Sequence, residues 1–265
     1  MKNHVCSTPR NLPSTLSCRV LLGLGALLAA GFLAPGLPAA DGKRCVVVWS
    51  EGTAPDDKVY TNDINVAVAD GLKSLAGWEV VTASLKQPNQ GMSEELLNRT
   101  DVLIWWGHKK HDDVKNDLVN RIVARVKEQG MGFISVHSSH FAKPYRKLMG
   151  TECTWREYVA DGTSVKITVK DRSHPIAQGV KDFELPKIER YGEPFAVPTP
   201  EAVVFDGVYA KPDGKTEPGR MGLCWTIGQG RVFYLTPGHE TYDDFFRPEI
   251  RRILRNAVEW AAPKP

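Results

Sequence analysis

Cysteine is scarce in this 265-residue chain: there are five, and beyond residue 40 only Cys45, Cys153 and Cys224 remain. Three thiols allow at most one bridge, which excludes a disulfide-stapled scaffold. Cys45 opens one apolar run and Cys224 lies inside another, so they read as small buried hydrophobes. Net charge is equally scarce. Residues 1–40 hold three of the 34 basic side chains (Lys2, Arg10 and Arg19) and none of the 31 acids, so the remainder carries 31 of each sign. A neutral body has no basic face for phosphates, and nucleic acid is excluded as an expected partner. There is no internal repeat, low-complexity tract or domain linker. Usage of 42% apolar and 25% charged residues excludes collagen-like, disordered and multi-span membrane classes.

What is present begins with a leader. A basic start is followed by the uncharged run Val20 to Leu37, then Pro38-Ala39-Ala40 and the polar Asp41. This pattern predicts a signal peptide over 1–40, cleavage near Ala39 or Ala40, and an exported, periplasmic or extracellular domain over 41–265. A retained membrane anchor fits less well, because Gly23, Gly25, Gly31 and Pro35 weaken such a helix.

After the leader, Arg44 to Trp49, Trp78 to Thr82, Asp101 to Trp106 and Gly132 to His137 are short apolar runs of the kind buried on both faces of a sheet. Helical periodicity lies between them, at Ile64 to Leu75 and at Val114 to Gln129, the latter closed by Gly130. The alternation predicts an α/β fold with a doubly wound parallel sheet. Beyond Gly150 the texture is β-rich, with strand-like runs at Ser164 to Val169, Val203 to Tyr209, Leu223 to Ile227 and Arg231 to Thr236, and a turn or hairpin tip at 211–219. Pro248 to Ala262 is expected to form an amphipathic closing helix.

The chemistry-bearing residues follow strands. His108 and His111 (GHKKH), His137 and His140 (HSSH), and His239 with Glu240 (TPGHETY) each come just after an expected strand. Ligands in open α/β sheets bind outside the carboxyl ends of the strands, so the three segments are expected to share one rim. Imidazole with carboxylate suits a divalent metal such as Zn, with His108, His111, His137, His239 and Glu240 as candidate ligands, although no standard metal motif is present. The same groups suit general acid–base work, with His108, His137, His239 and Glu193 as candidate catalytic residues. Gly192 permits close backbone approach, so Glu193 in ERYGEPF is expected to face the pocket. Trp106, His140, Tyr191 and Tyr242 are candidate substrate contacts, the aromatic ones offering stacking faces to a sugar. A serine nucleophile at a Ser138/Ser139 elbow is a weaker alternative, since V-H-S-S-H lacks the flanking glycines of G-x-S-x-G.

The strings DVLIWWGHKKHDDV (101–114), VHSSHFAKPYRKLMGTECTWRE (136–157), HPIAQGV (174–180), ERYGEPF (189–195) and RVFYLTPGHETY (231–242) strongly resemble the ThuA-like (trehalose utilisation) proteins, in order and spacing, over nearly the whole mature chain. The resemblance implies a flavodoxin-like, class I glutamine amidotransferase-like fold without the amidotransferase cysteine. It also implies a role in carbohydrate metabolism, with a small-molecule carbohydrate as partner and a functional link to a sugar oxidoreductase that makes 3-keto sugars. Two family histidines have no counterpart here: Ala54 or Pro55 and Asn65 stand near their places. The expected function is therefore an exported protein acting on a sugar, glycoside or 3-keto sugar by metal-assisted or His/Glu acid–base chemistry. Its rivals are a sugar-binding or delivery module without turnover and the serine hydrolase.

Overall fold

The computed structural model describes residues 42–54 and 59–264. The expected leader, 1–40, and Pro55 lie outside the described residues, and no helix among those described is long and apolar enough to cross a membrane.

The valine run of β1 (Arg44–Ser50) is buried along nearly its whole length, as a central strand requires. Helix α1 (Ile64–Leu72) follows, with the Asp63 side chain accepting the Ile64 N–H at its start. Next come β2 (Trp78–Ser84), a short α2 (Glu94–Arg99), β3 (Val102–Trp106) and α3 (Asn116–Gln129). Gly130 ends α3 at φ 75°, a left-handed conformation that costs glycine little. The chain continues through β4 (Gly132–Val136), α4 (Lys143–Met149), β5 (Trp155–Val159), β6 (Val165–Val169), β7 (Phe183–Leu185) and β8 (Arg190–Phe195). It closes with β9 (Ala202–Ala210), β10 (Thr216–Ile227), β11 (Gly230–Leu235) and α5 (Pro248–Ala261).

Nine strands form one sheet in the order β2-β1-β3-β4-β11-β10-β9-β6-β7, while β5 and β8 pair separately. From β2 to β11 every neighbour is parallel, and from β11 to β7 every neighbour is antiparallel. Alternation along β1 divides the core. Val46 and Val48 pack with α1 and α5 on one face, and Cys45, Val47 and Trp49 pack with α3 and α4 on the other. Burying each such aliphatic side chain contributes about 1.5–3 kcal/mol. Cys45, Cys153 and Cys224 are free and buried. Ala54 and Asn65 are buried too, with the Asn65 amide donating to the Ala83 carbonyl at 2.9 Å.

Three details differ from the sequence reading. The 211–219 turn is shorter, because β10 already starts at Thr216 and pairs with β9 from there. ERYGEPF is not a connection between strands: six of its seven residues form β8. The fourth strand stops at Val136, because His137 turns into the left-handed region at φ 54°.

Candidate functional site

Because β1, β3, β4 and β11 are parallel neighbours, the residues following them meet at one edge. Glu51 follows β1. Its carboxylate accepts the backbone N–H groups of Lys109 and Lys110, the latter at 2.9 Å, and so fixes the loop that carries His108. Burial pushes the Glu51 pKa up, but Thr53 and the N–H groups of residues 108–110 outweigh it and hold the acid below its ordinary range.

His137 sits at the turn out of β4, where positive φ is uncommon for a residue with a side chain. Its Nδ1 lies 2.9 Å from the Thr236 carbonyl, an oxygen that can only accept, so Nδ1 carries a proton. Its Nε2 faces Glu189 Oε2 at 3.1 Å and the Tyr191 hydroxyl at 3.2 Å, and that hydroxyl donates to Glu189. The network is complete when Nε2 also carries a proton, which makes the ring an imidazolium. Burial alone would lower the His137 pKa, but the bond to Glu189 and its charge outweigh burial and raise it. Glu189 moves the other way: His137 overcomes burial and holds its carboxyl down to about 2.

His108 is oriented from both sides. The Ser138 hydroxyl donates to the Gly107 carbonyl at 2.9 Å and can accept from His108 Nδ1 at 3.1 Å. That leaves His108 Nε2 facing Glu240 Oε1 at 3.1 Å. Desolvation holds the His108 pKa below its ordinary value against the pull of Glu240.

His239 is arranged differently. The Thr241 N–H donates to its Nδ1 at 3.2 Å, so the neutral ring carries its proton on Nε2. Burial and then the charge of His137 lower its pKa, favouring that neutral form. The ring lies 6.1 Å from His108 and 5.4 Å from His137, centroid to centroid. Glu240 Oε2 is buried beside it, 3.7 Å from His239 Nδ1, with no hydrogen-bond partner. A buried carboxylate oxygen without a donor is costly, and such a group is an open seat for a proton or a hydroxyl. Gly238 holds this loop down. Its N–H donates to Asp244 at 2.8 Å, its carbonyl accepts from the Trp106 indole at 3.1 Å, and its φ of 132° suits glycine.

Ligand atoms of His137, His239 and Glu240 lie within 4.8 Å of one another, close enough for one ion. The hydrogen bonds fit a metal poorly. His137 has the carbonyl contact typical of a metal-bound imidazole, but its Nε2 already faces Glu189. A neutral His239 can offer Nε2 only if its proton moves to Nδ1, where the Thr241 N–H points.

The edge therefore brings together His108, His137, His239 and Glu240. Glu193 is elsewhere: it pairs with Arg220 at 2.7 Å and accepts the Phe195 N–H. Glu240 meets His108, and on His137 the acid is Glu189, one of several acids near expected turns, rather than Glu193. Four residues of extended chain advance about 13 Å, so the two carboxylates cannot serve the same ring.

Four other expectations also change. His111 turns away on a short 3-10 segment, packs 6.2 Å from Phe141, and stands outside the His137, His239 and Glu240 group. His140 is fully buried among Phe141, Tyr158, Tyr191, Phe195 and Tyr234, which closes it to substrate, and burial lowers its pKa to about 3. Trp106 and Tyr191 are buried as well and act on the loop and on His137. Tyr242 keeps partial exposure, its ring tilted by 31° against that of His239 with centroids 4.7 Å apart. The elbow residue is His137 rather than a serine: Ser138 hydrogen-bonds Gly107, and Ser139 is engaged by Ser135 and Val136.

The sequence profile described as ThuA, trehalose utilisation, matches residues 45–261. The chain belongs to the ThuA family. That description implies a carbohydrate-related role. Among solved structures, a ThuA-like protein from Bacteroides uniformis is similar at 17% identity and a TM-score of 0.60, covering 87% of this chain and 95% of its own. A cytoplasmic protein from Salmonella typhimurium, STM3548, is similar at 14% identity and 0.58, covering 83% and 99%. A glutamine amidotransferase from Thermotoga maritima is similar at 11% identity and 0.50, covering 82% and 97%. These likenesses establish the shared fold. No curated protein matches the chain.

Proposed function

We propose that this ThuA-family protein is an exported enzyme that moves a proton beside the carbonyl of an oxidised sugar, such as a 3-keto glycoside, by His/Glu acid–base chemistry. One observation carries the reading: Glu240 Oε2, buried and without a donor, at the edge where three imidazoles meet. In the proposed step Glu240 takes a proton from the carbon next to the ketone. The C–H bond breaks, an O–H bond forms on the carboxyl, and the electron pair moves to the carbonyl oxygen. His239, neutral with its proton on Nε2, donates a hydrogen bond to that oxygen, and the His137 imidazolium nearby stabilises the developing negative charge. His108 keeps Glu240 oriented through its other oxygen. A sugar oxidoreductase acting first would supply the ketone.

The test is incubation of the purified protein with methyl α-glucoside, α,α-trehalose and the 3-keto form of each, with and without a chelator, followed by NMR. The reading expects the keto forms to be transformed, the parent sugars to persist and the chelator to have no effect. Hydrolysis of the parent sugars would overturn it, and so would complete loss of activity on chelation.

A further inference from the structure

The body is neutral overall, but its charge is not evenly spread. Between α3 and α4 runs a cleft of about 590 Å³, within the roughly 300–1,000 Å³ usual for small-molecule sites. One wall is α4, where Lys143, Arg146 and Lys147 stand at i, i+3 and i+4 and so share a face. Among the described residues Glu152 is the only acid lining the cleft, and it pairs with Arg146 at 2.8 Å. Three cations against one acid leave a local surplus of two positive charges. Both lysines are held by neutral acceptors: Lys143 Nζ donates to the Asp112 and Val114 carbonyls at 2.7 and 2.8 Å, and Lys147 Nζ donates to Asn120 Oδ1. They are fixed in place without being neutralised, and each ammonium keeps a further N–H to donate. The other wall is the first turn of α3, which begins at Asn116 without a side-chain cap. Its unpaired N–H groups add the positive end of a 14-residue helix. Asp117 in that turn pairs with Arg121 at 3.2 Å and does not line the cleft. Pinned, uncompensated cations suit a doubly charged oxyanion. With no aromatic side chain in its walls, the cleft offers a nucleobase nothing to stack on.

We propose that this cleft is a binding site for a small phosphate monoester, whose phosphoryl group meets Lys143, Arg146 and Lys147 and whose polar, non-aromatic remainder fills the rest. None of His108, His137, His239 and Glu240 lines it, so it is a second site and stands independently of the proton transfer proposed above.

The test is calorimetric titration of the purified protein with glycerol 3-phosphate, inorganic phosphate, glycerol and vesicles of phosphatidic acid. Glycerol 3-phosphate is expected to bind saturably and more tightly than inorganic phosphate, and glycerol not at all. Arg146→Gln and Lys147→Gln should each weaken glycerol 3-phosphate about tenfold, the loss of one charge-assisted hydrogen bond. Glu152→Gln should tighten it, because the only opposing charge is removed. Unchanged binding in Arg146→Gln and Lys147→Gln would overturn the site, as would weaker binding in Glu152→Gln. An equal loss in Lys215→Gln, whose pair with Asp213 lies outside the cleft, would reduce the binding to general charge attraction and overturn the site as well. So would the absence of saturable binding by either soluble phosphate, or binding to the vesicles alone.

Discussion

Replacing Glu189 by Gln keeps the size and one acceptor oxygen beside His137 Nε2 while removing the charge. His137 has no exposure to solvent, and Glu189 is its close ionic partner at 3.1 Å. Removing one member of a buried ion pair costs about 3–5 kcal/mol when the other stays charged, whereas losing a neutral hydrogen bond costs about 1 kcal/mol. The pH window follows from the signs of the shifts. His137 has a folded pKa raised above 6.5, so its contribution is present below that value and lost as pH rises through the folded pKa. Glu189 is lowered from 4.5 to about 2, so its contribution is present above 4.5 and lost as pH falls toward 2. The pair is thus strongest from about pH 4.5 to about 6.5 and is lost as pH rises on through the folded pKa of His137. Urea unfolding of both proteins should show a loss of about 3 kcal/mol in Glu189→Gln near pH 5.5, shrinking to about 1 kcal/mol or less well above the folded pKa of His137. Imidazole NMR of the variant should show the His137 pKa falling below 6.5, since burial then acts without the carboxylate. A destabilisation independent of pH, with the His137 titration unmoved, would refute the ion pair.

Gly238→Ala should lose both stability and activity, because a Cβ there would lie 2.7 Å from Phe245 and 3.2 Å from the His137 Cβ; thermal melts and turnover measure both. Glu193→Gln should leave turnover unchanged and cost about 1 kcal/mol or less in urea unfolding, since its partner Arg220 is partly solvated. His239→Ala should keep the melting temperature within a few degrees and abolish turnover, whereas His137→Ala should lower it clearly, because that ring is buried and hydrogen-bonded at both nitrogens. Mass spectrometry of the protein secreted from an export-competent host should show a chain starting at Ala40 or Asp41, the expected cleavage near Ala39 or Ala40.

Much of this architecture was legible because its signals are local. The valine run of β1, the 3.6-residue period of α3 and its Gly130 stop each state one element. Convergence of His108, His137 and His239 followed from the carboxyl-edge rule once the strands were assigned parallel. The less legible parts depend on long-range contacts. Nothing local says that Glu189 rather than Glu193 meets His137, because Arg220, 27 positions away, determines where Glu193 goes. Burial of Trp106 and His140 is likewise set by Gly238 and by the β5–β8 pair, which the sequence presents only as short, irregular runs.

The most direct test of the acid–base centre is deuterium wash-in. The 3-keto form of methyl α-glucoside is incubated with the protein in heavy water, and exchange at the carbons flanking the carbonyl is followed by NMR. The site geometry predicts exchange at one of these carbons well above the uncatalysed rate, falling on the order of a hundredfold in Glu240→Gln with the fold retained. Exchange at the full rate in Glu240→Gln, or none above background in the unsubstituted protein, would contradict it.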